Sequence, residues 1–212
     1  MNKSSKFLLF SIVLVIFAFI YRANVGDVGF ASSYTAKADM VVSSGSTIKC
    51  QIDGNVDEKF ATMVENELNS IPANLRAKFI KDGWHIYVTN ENLAKLYYGD
   101  EYAIVYGSTF YDKGLILMYG NSTAIAKATI HEFGHWFDDE LGTISETYTF
   151  NKIYKAEKNA FESVFYRGIQ LDNREYFAEA FYFYIKNPTQ LKNTAPQTYN
   201  FMVNIITGNM QD

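Results

Sequence analysis

The chain reads as an α+β protein: a small mixed sheet, with an edge strand beside a helix that carries an HExxH motif, followed by a mainly helical C-terminal half. Three observations predict this. Aromatic and β-branched runs of strand length are confined to the stretch between Trp84 and Tyr119. Helical spacing of apolar residues dominates everything after Thr123. The composition, 48% hydrophobic and 20% charged over 212 residues, suits one well-buried domain or two small lobes sharing a cleft.

The elements follow in order. Lys3 and Lys6 precede an uncharged, mostly apolar run from Phe7 to Ile20, which has the length of a signal-peptide core and falls short of the ~20 residues of a spanning helix. We read residues 1–31 as a signal peptide, with Gly29-Phe30-Ala31 as its cleavage site and Ala36-Lys37-Ala38 as a second candidate; an uncleaved membrane anchor is the alternative. Residues 32–46 are small and polar, a linker or tail, and residues 47–212 form the folded domain. Asp57 to Ser70 places Phe60, Met63, Val64 and Leu68 on one helical face, and Asn74 to Lys81 is a second helix. Trp84 to Val88 is a strand, and Asn92 to Tyr98 a helix ahead of a Gly99-Asp100 turn.

Ser108 to Tyr111 and Leu115 to Tyr119 make a β-hairpin through Asp112-Lys113-Gly114. Asn121-Ser122-Thr123 supplies capping side chains for a helix running to Leu141, with Gly142 beyond its end. Asn121 also opens a glycosylation triplet, but a cap accounts for it more simply. Phe150 to Tyr166, Arg174 to Ile185 and Gln197 to Ile206 are further helices, with breaks marked by Pro188 and Pro196. Cys50 is the sole cysteine, so no internal disulfide supports the fold. A net charge of −4 gives no electrostatic case for binding nucleic acid or an anionic membrane. Most of the 17 Phe and 16 Tyr are expected in the core.

The chemistry is concentrated in His131-Glu132-Phe133-Gly134-His135. Residues four apart share a helix face, so both imidazoles can reach one metal ion. Glu132 is turned about 100° from His131, beside the metal and placed as a general base. A zinc ion, one per chain, would acidify water there for attack on a peptide carbonyl. Two of the three histidines are spent on this motif.

Catalytic zinc takes three protein ligands, and one helix offers two. A metzincin continuation would need Gly at 138 and His at 141; Asp138 and Leu141 stand there and exclude it. His85 is better read as a half-buried strand histidine with a hydrogen-bond partner. Glu140 shares the motif helix and cannot turn back to the metal. Glu157 and Glu162, mixed with Lys155 and Lys158, read as a solvated face. Glu175 and Glu179 are four apart inside the aromatic segment EYFAEAF. Either they face water from an amphipathic helix, or one is a ligand and the other supports a ligating histidine.

HEFGHWFDD, from His131 to Asp139, and EYFAEAF, from Glu175 to Phe181, resemble the catalytic domain of anthrax lethal factor and its relatives, which include secreted Pro-Pro endopeptidases. Ala195 to Phe201 is similar to that family's C-terminal helix, and the resemblance covers Gly107 to Ile206. It implies Glu175 as the third zinc ligand and Glu179 as support for a ligating histidine. A tyrosine near the zinc site, stabilising the oxyanion, is also implied. Its spacing falls on Gly168, so Tyr166 is the nearest candidate; an aromatic packed at a helix end is the alternative. The resemblance further implies an extended peptide pairing with an edge strand, for which Leu115, Ile116, Leu117, Met118 and Tyr119 are chosen. Gly107-Ser108-Thr109 looks like a loop bordering the cleft. The expected protein is thus a secreted zinc endopeptidase acting on proteins or peptides, without stable membrane association once its signal is removed. The alternative is a zinc-containing binding module of the same fold without catalysis.

Overall fold

A computed structural model describes residues 45–98, 105–165 and 171–208. The 1–31 signal or anchor, nearly all of the 32–46 linker, the Gly99-Asp100 turn and Tyr166 lie outside the described residues. Strand β1 (Cys50–Ile52) leads to helices α1 (Glu58–Leu68) and α2 (Ala73–Lys81), then β2 (His85–Thr89) and α3 (Leu93–Tyr98). Strands β3 (Gly107–Phe110) and β4 (Leu115–Tyr119) come next, then the long helix α4 (Ser122–Glu140). Four helices complete the chain: α5 (Tyr148–Phe165), α6 (Asn173–Lys186), α7 (Pro188–Thr194) and α8 (Pro196–Thr207).

The strands form one mixed sheet in the order β1-β2-β4-β3, with β2 parallel to both β1 and β4, and β3 antiparallel to β4. The hairpin closes through a 3₁₀ turn at Tyr111–Lys113, and Gly114 takes the left-handed φ of 59° that this tight return requires. Ile86, Val88, Ile116 and Met118 face the main core with Val64, Leu68 and Phe133; Tyr87, Leu115 and Leu117 face a smaller cluster with Leu93 and Val105. Burial on both faces is why these strands read as continuous apolar runs.

This strand order corrects one expectation. Leu115, Ile116, Leu117, Met118 and Tyr119 form a central strand, paired with β2 on one side and β3 on the other, so their main-chain groups are committed to the sheet. Among the described residues, the strand at the sheet's edge beside the motif helix is β3. Sequence proximity to the helix suggested β4, but the hairpin folds β3 outward past it.

A second correction concerns Glu157 and Glu162, which are buried and not solvated. Glu157 accepts hydrogen bonds from the main-chain N–H groups of Gln197 and Thr198 and from the Thr198 hydroxyl, each at 2.8 Å. It therefore caps the start of α8 from another helix, where a carboxylate also complements the helix dipole. Glu162 accepts the Leu171 N–H at 2.8 Å. The structure also adds β1, too short to show alternation, and α7. Pro188 and Pro196, read as breaks, stand at the first turns of α7 and α8, where a missing N–H costs nothing. Among the described residues no helix is long and apolar enough to cross a membrane.

Candidate active site

Helix α4 is fixed at both ends. Asn121 Oδ1 accepts from the N–H groups of Thr123 and Ala124, which is the capping role expected of it. At the far end the buried Asp138 accepts from Ser145 N and Oγ at 2.8 and 2.7 Å and ties down the following turn. Between these points α4 is buried almost all round. The two central residues of the motif do different work. Phe133 stacks between Phe79 and Phe181, while Gly134 lets α6 approach: a Cβ there would meet Ala178 Cα at 3.0 Å and Ala178 O at 3.1 Å. That close crossing brings the first turn of α6 to the histidines.

His131 and His135 point the same way, with their Nε2 atoms 3.1 Å apart. Glu175 spans them, its Oε2 3.3 Å from His131 Nε2 and its Oε1 3.4 Å from His135 Nε2. These three side chains form a group able to hold a metal ion, with all three donor atoms within 4.8 Å of one another. Metal–nitrogen bonds of 2.0–2.1 Å at tetrahedral angles separate ligand atoms by about 3.3 Å. The two imidazole nitrogens have that spacing, and each has one of the two Glu175 oxygens at a similar distance. Glu179, one turn beyond Glu175, places Oε1 3.0 Å from His131 Nδ1, fixing that ring from behind. Asp172 caps α6 by accepting the Glu175 N–H at 2.8 Å.

The electrostatics agree with this geometry. Burial would strip charge from His131, but the Glu179 and Glu175 carboxylates outweigh it and raise its pKa well above the ordinary value. Burial would likewise raise Glu175, yet the two imidazoles hold it down at about 2. With its pKa held up in this way, His131 gives up a proton when it binds a cation. Glu132 points beside this cluster and is itself buried. Its pKa is raised by burial, against the opposing pull of His131, His135 and a hydrogen bond from Thr109 Oγ1 at 2.8 Å.

Of the residues expected from the sequence, His131, His135, Glu175, Glu132 and Glu179 are brought together. His85 stands at the start of β2 and is not part of the group. Glu140 pairs with Lys78 at 2.6 Å. Tyr166 and Gly168 lie outside the described residues. Gly107-Ser108-Thr109, expected as a loop bordering the cleft, is part of strand β3, and sequence reasoning gave Thr109 no contact with Glu132; its place two residues from Gly107 on one strand face was the available signal.

Residues 116–205 match the family model described as anthrax toxin lethal factor, N- and C-terminal domain. A Pro-Pro endopeptidase of Clostridioides difficile (strain 630) is 36% identical over 80 residues, a match spanning 36% of this chain and 36% of that protein. The solved structure of the Pro-Pro endopeptidase from Paenibacillus alvei superposes with a TM-score of 0.58 at 22% identity, covering 74% of this chain and 96% of the other, a likeness of fold. Together these matches support placing residues 116–205, which hold the motif helix and α6, with the anthrax lethal factor-like family.

Proposed function

We propose that this protein is a secreted zinc-dependent endopeptidase that cleaves extended, proline-containing peptides. The observation that carries the reading is the convergence of His131, His135 and Glu175, with one donor atom of each within 4.8 Å of the others, and a buried glutamate beside them. His131 Nε2, His135 Nε2 and Glu175 hold the ion, and Glu179 orients His131. When bound, zinc supplies Lewis acidity, bringing the pKa of water towards about 7 and polarising the scissile carbonyl.

The protein's own groups do the rest. Thr109 occupies Glu132 Oε2, which leaves Oε1 to take the proton from the attacking water and later deliver it to the departing amine. A pKa raised by burial suits a base working near neutral pH. Among the described residues β3 stands at the edge of the sheet, and it is the strand proposed to offer main-chain hydrogen bonds to an extended peptide, in place of the central β4. Tyr166 is the proposed oxyanion stabiliser. The basic and apolar N-terminus, with Lys3, Lys6 and Phe7 to Ile20, supports export. The Clostridioides difficile relative supports adjacent prolines as the first substrates to try.

The test is incubation of the protein with a peptide mixture that includes Pro-Pro sequences, followed by sequencing of the products, beside Glu132→Ala. Cleavage by the parent and a loss of about 10²–10⁴-fold in Glu132→Ala are expected. Bound zinc with no cleavage by either protein would replace the enzyme with a binding module. Cleavage away from proline would remove the proline preference and keep the peptidase.

A further inference from the structure

Strand β3 touches Glu132 at two points. Thr109, which is 4% exposed, places Oγ1 2.8 Å from Glu132 Oε2 and 3.0 Å from the Glu132 main-chain oxygen. Among the described residues no other hydrogen bond reaches this carboxylate. Two residues earlier, on the same face of the strand, an added Cβ at Gly107 would lie 2.7 Å from Glu132 Cγ and 3.2 Å from its Cδ. Real Cβ atoms essentially never come that close, so the glutamate stem fills the slot that the glycine leaves. A glutamate has three side-chain torsions, and burial alone does not select one arrangement of them. Here the slot confines the stem and the hydroxyl fixes the rotation of the carboxylate.

We propose that Thr109 is the positioning residue for the base, holding Glu132 Oε2 against β3 over the slot at Gly107 so that Oε1 faces the reaction. The proposal rests on the peptidase reading and deepens it. Since β3 is also an edge strand among the described residues, one strand then sets both the register of the peptide and the aim of the base. A merely structural hydroxyl would serve the main-chain carbonyl of Glu132 alone, and its loss would act through folding.

Three variants of the full chain separate these roles: Thr109→Val, which keeps the shape without the hydroxyl, Thr109→Ser, which keeps the hydroxyl, and Gly107→Ala. Each is assayed on an internally quenched peptide built on the parent's own cleavage sequence, and each is measured for zinc content and melting temperature. Thr109→Val and Gly107→Ala are expected to lower kcat about 10- to 100-fold with KM and zinc content unchanged, while Thr109→Ser stays within about threefold of the parent. Parent-like kcat in Thr109→Val or Gly107→Ala, an equal loss in Thr109→Ser, or a loss carried by KM or zinc content overturns the proposal. Should Thr109→Val not fold, Thr109→Ala takes its place under the same criteria. A parent that cleaves nothing sinks the peptidase reading and this proposal with it; an active parent matched by Thr109→Val sinks this proposal alone.

Discussion

Helices α5 and α6 each bury a pair of glutamates, and all four side chains are nearly inaccessible to solvent. Their partners differ. Glu157 and Glu162 on α5 meet main-chain N–H groups at 2.8 Å, the open donors at the start of α8 and before α6. Glu175 and Glu179 on α6 meet imidazole nitrogens at 3.0 to 3.4 Å. A buried carboxylate needs donors or a cation, and backbone donors satisfy it as fully as a metal site does. Burial therefore does not mark a metal ligand. Convergence of several donor atoms on one point does, and of these four glutamates only Glu175 takes part in it, with Glu179 behind a ligating ring.

Replacing each glutamate in turn tells the two pairs apart. Glu175→Gln is expected to abolish stoichiometric zinc, read by elemental analysis after gel filtration, with folding preserved by circular dichroism. Zinc affinity of the parent is expected to fall as pH falls, about tenfold per pH unit for each proton displaced, because the raised pKa of His131 means that a bound proton must leave before the ion enters. Competition with a chelator at two pH values measures it, and the sign is fixed: tighter at the higher pH. Glu179→Gln should retain the site but weaken zinc about 10- to 100-fold, since His131 loses its partner at Nδ1.

The α5 pair gives the opposite pattern. Glu157→Ala should destabilise the fold by about 3 kcal/mol in denaturant unfolding, leaving the N–H groups of Gln197 and Thr198 without their acceptor, while zinc content is untouched. Glu162→Ala removes one such bond and should cost about 1–2 kcal/mol, again with zinc retained. Zinc lost in either α5 variant at full folding would erase the distinction between the two pairs.

What the sequence made legible follows the distance over which each feature is decided. The α4 cap at Asn121, the φ of Gly114 and the shared face of His131 and His135 are local, set within a turn or two of chain, and they stand where the residues put them. Glu175 and Glu179 stand out by their four-residue spacing in an apolar segment, but spacing leaves a water-facing helix open, and it is the family resemblance that implies their roles. The edge of the sheet could not, since strand order depends on pairings between β1, β2 and β4 that no single stretch encodes. Glu157 misled for the same reason. Its neighbours Lys155 and Lys158 suggest a wet face, while the N–H groups that bury it belong to residues 40 and 41 positions further on. Thr109 lies 23 residues before the glutamate it binds, so its role too emerges only from the assembled hairpin and helix.

The most direct measurement is anomalous diffraction at the zinc edge from crystals of the protein grown with zinc. The account predicts a single peak between His131 Nε2, His135 Nε2 and the Glu175 carboxylate, at about 2.0–2.2 Å from each. No peak there, or a peak beside Glu157 and Glu162 instead, would contradict it.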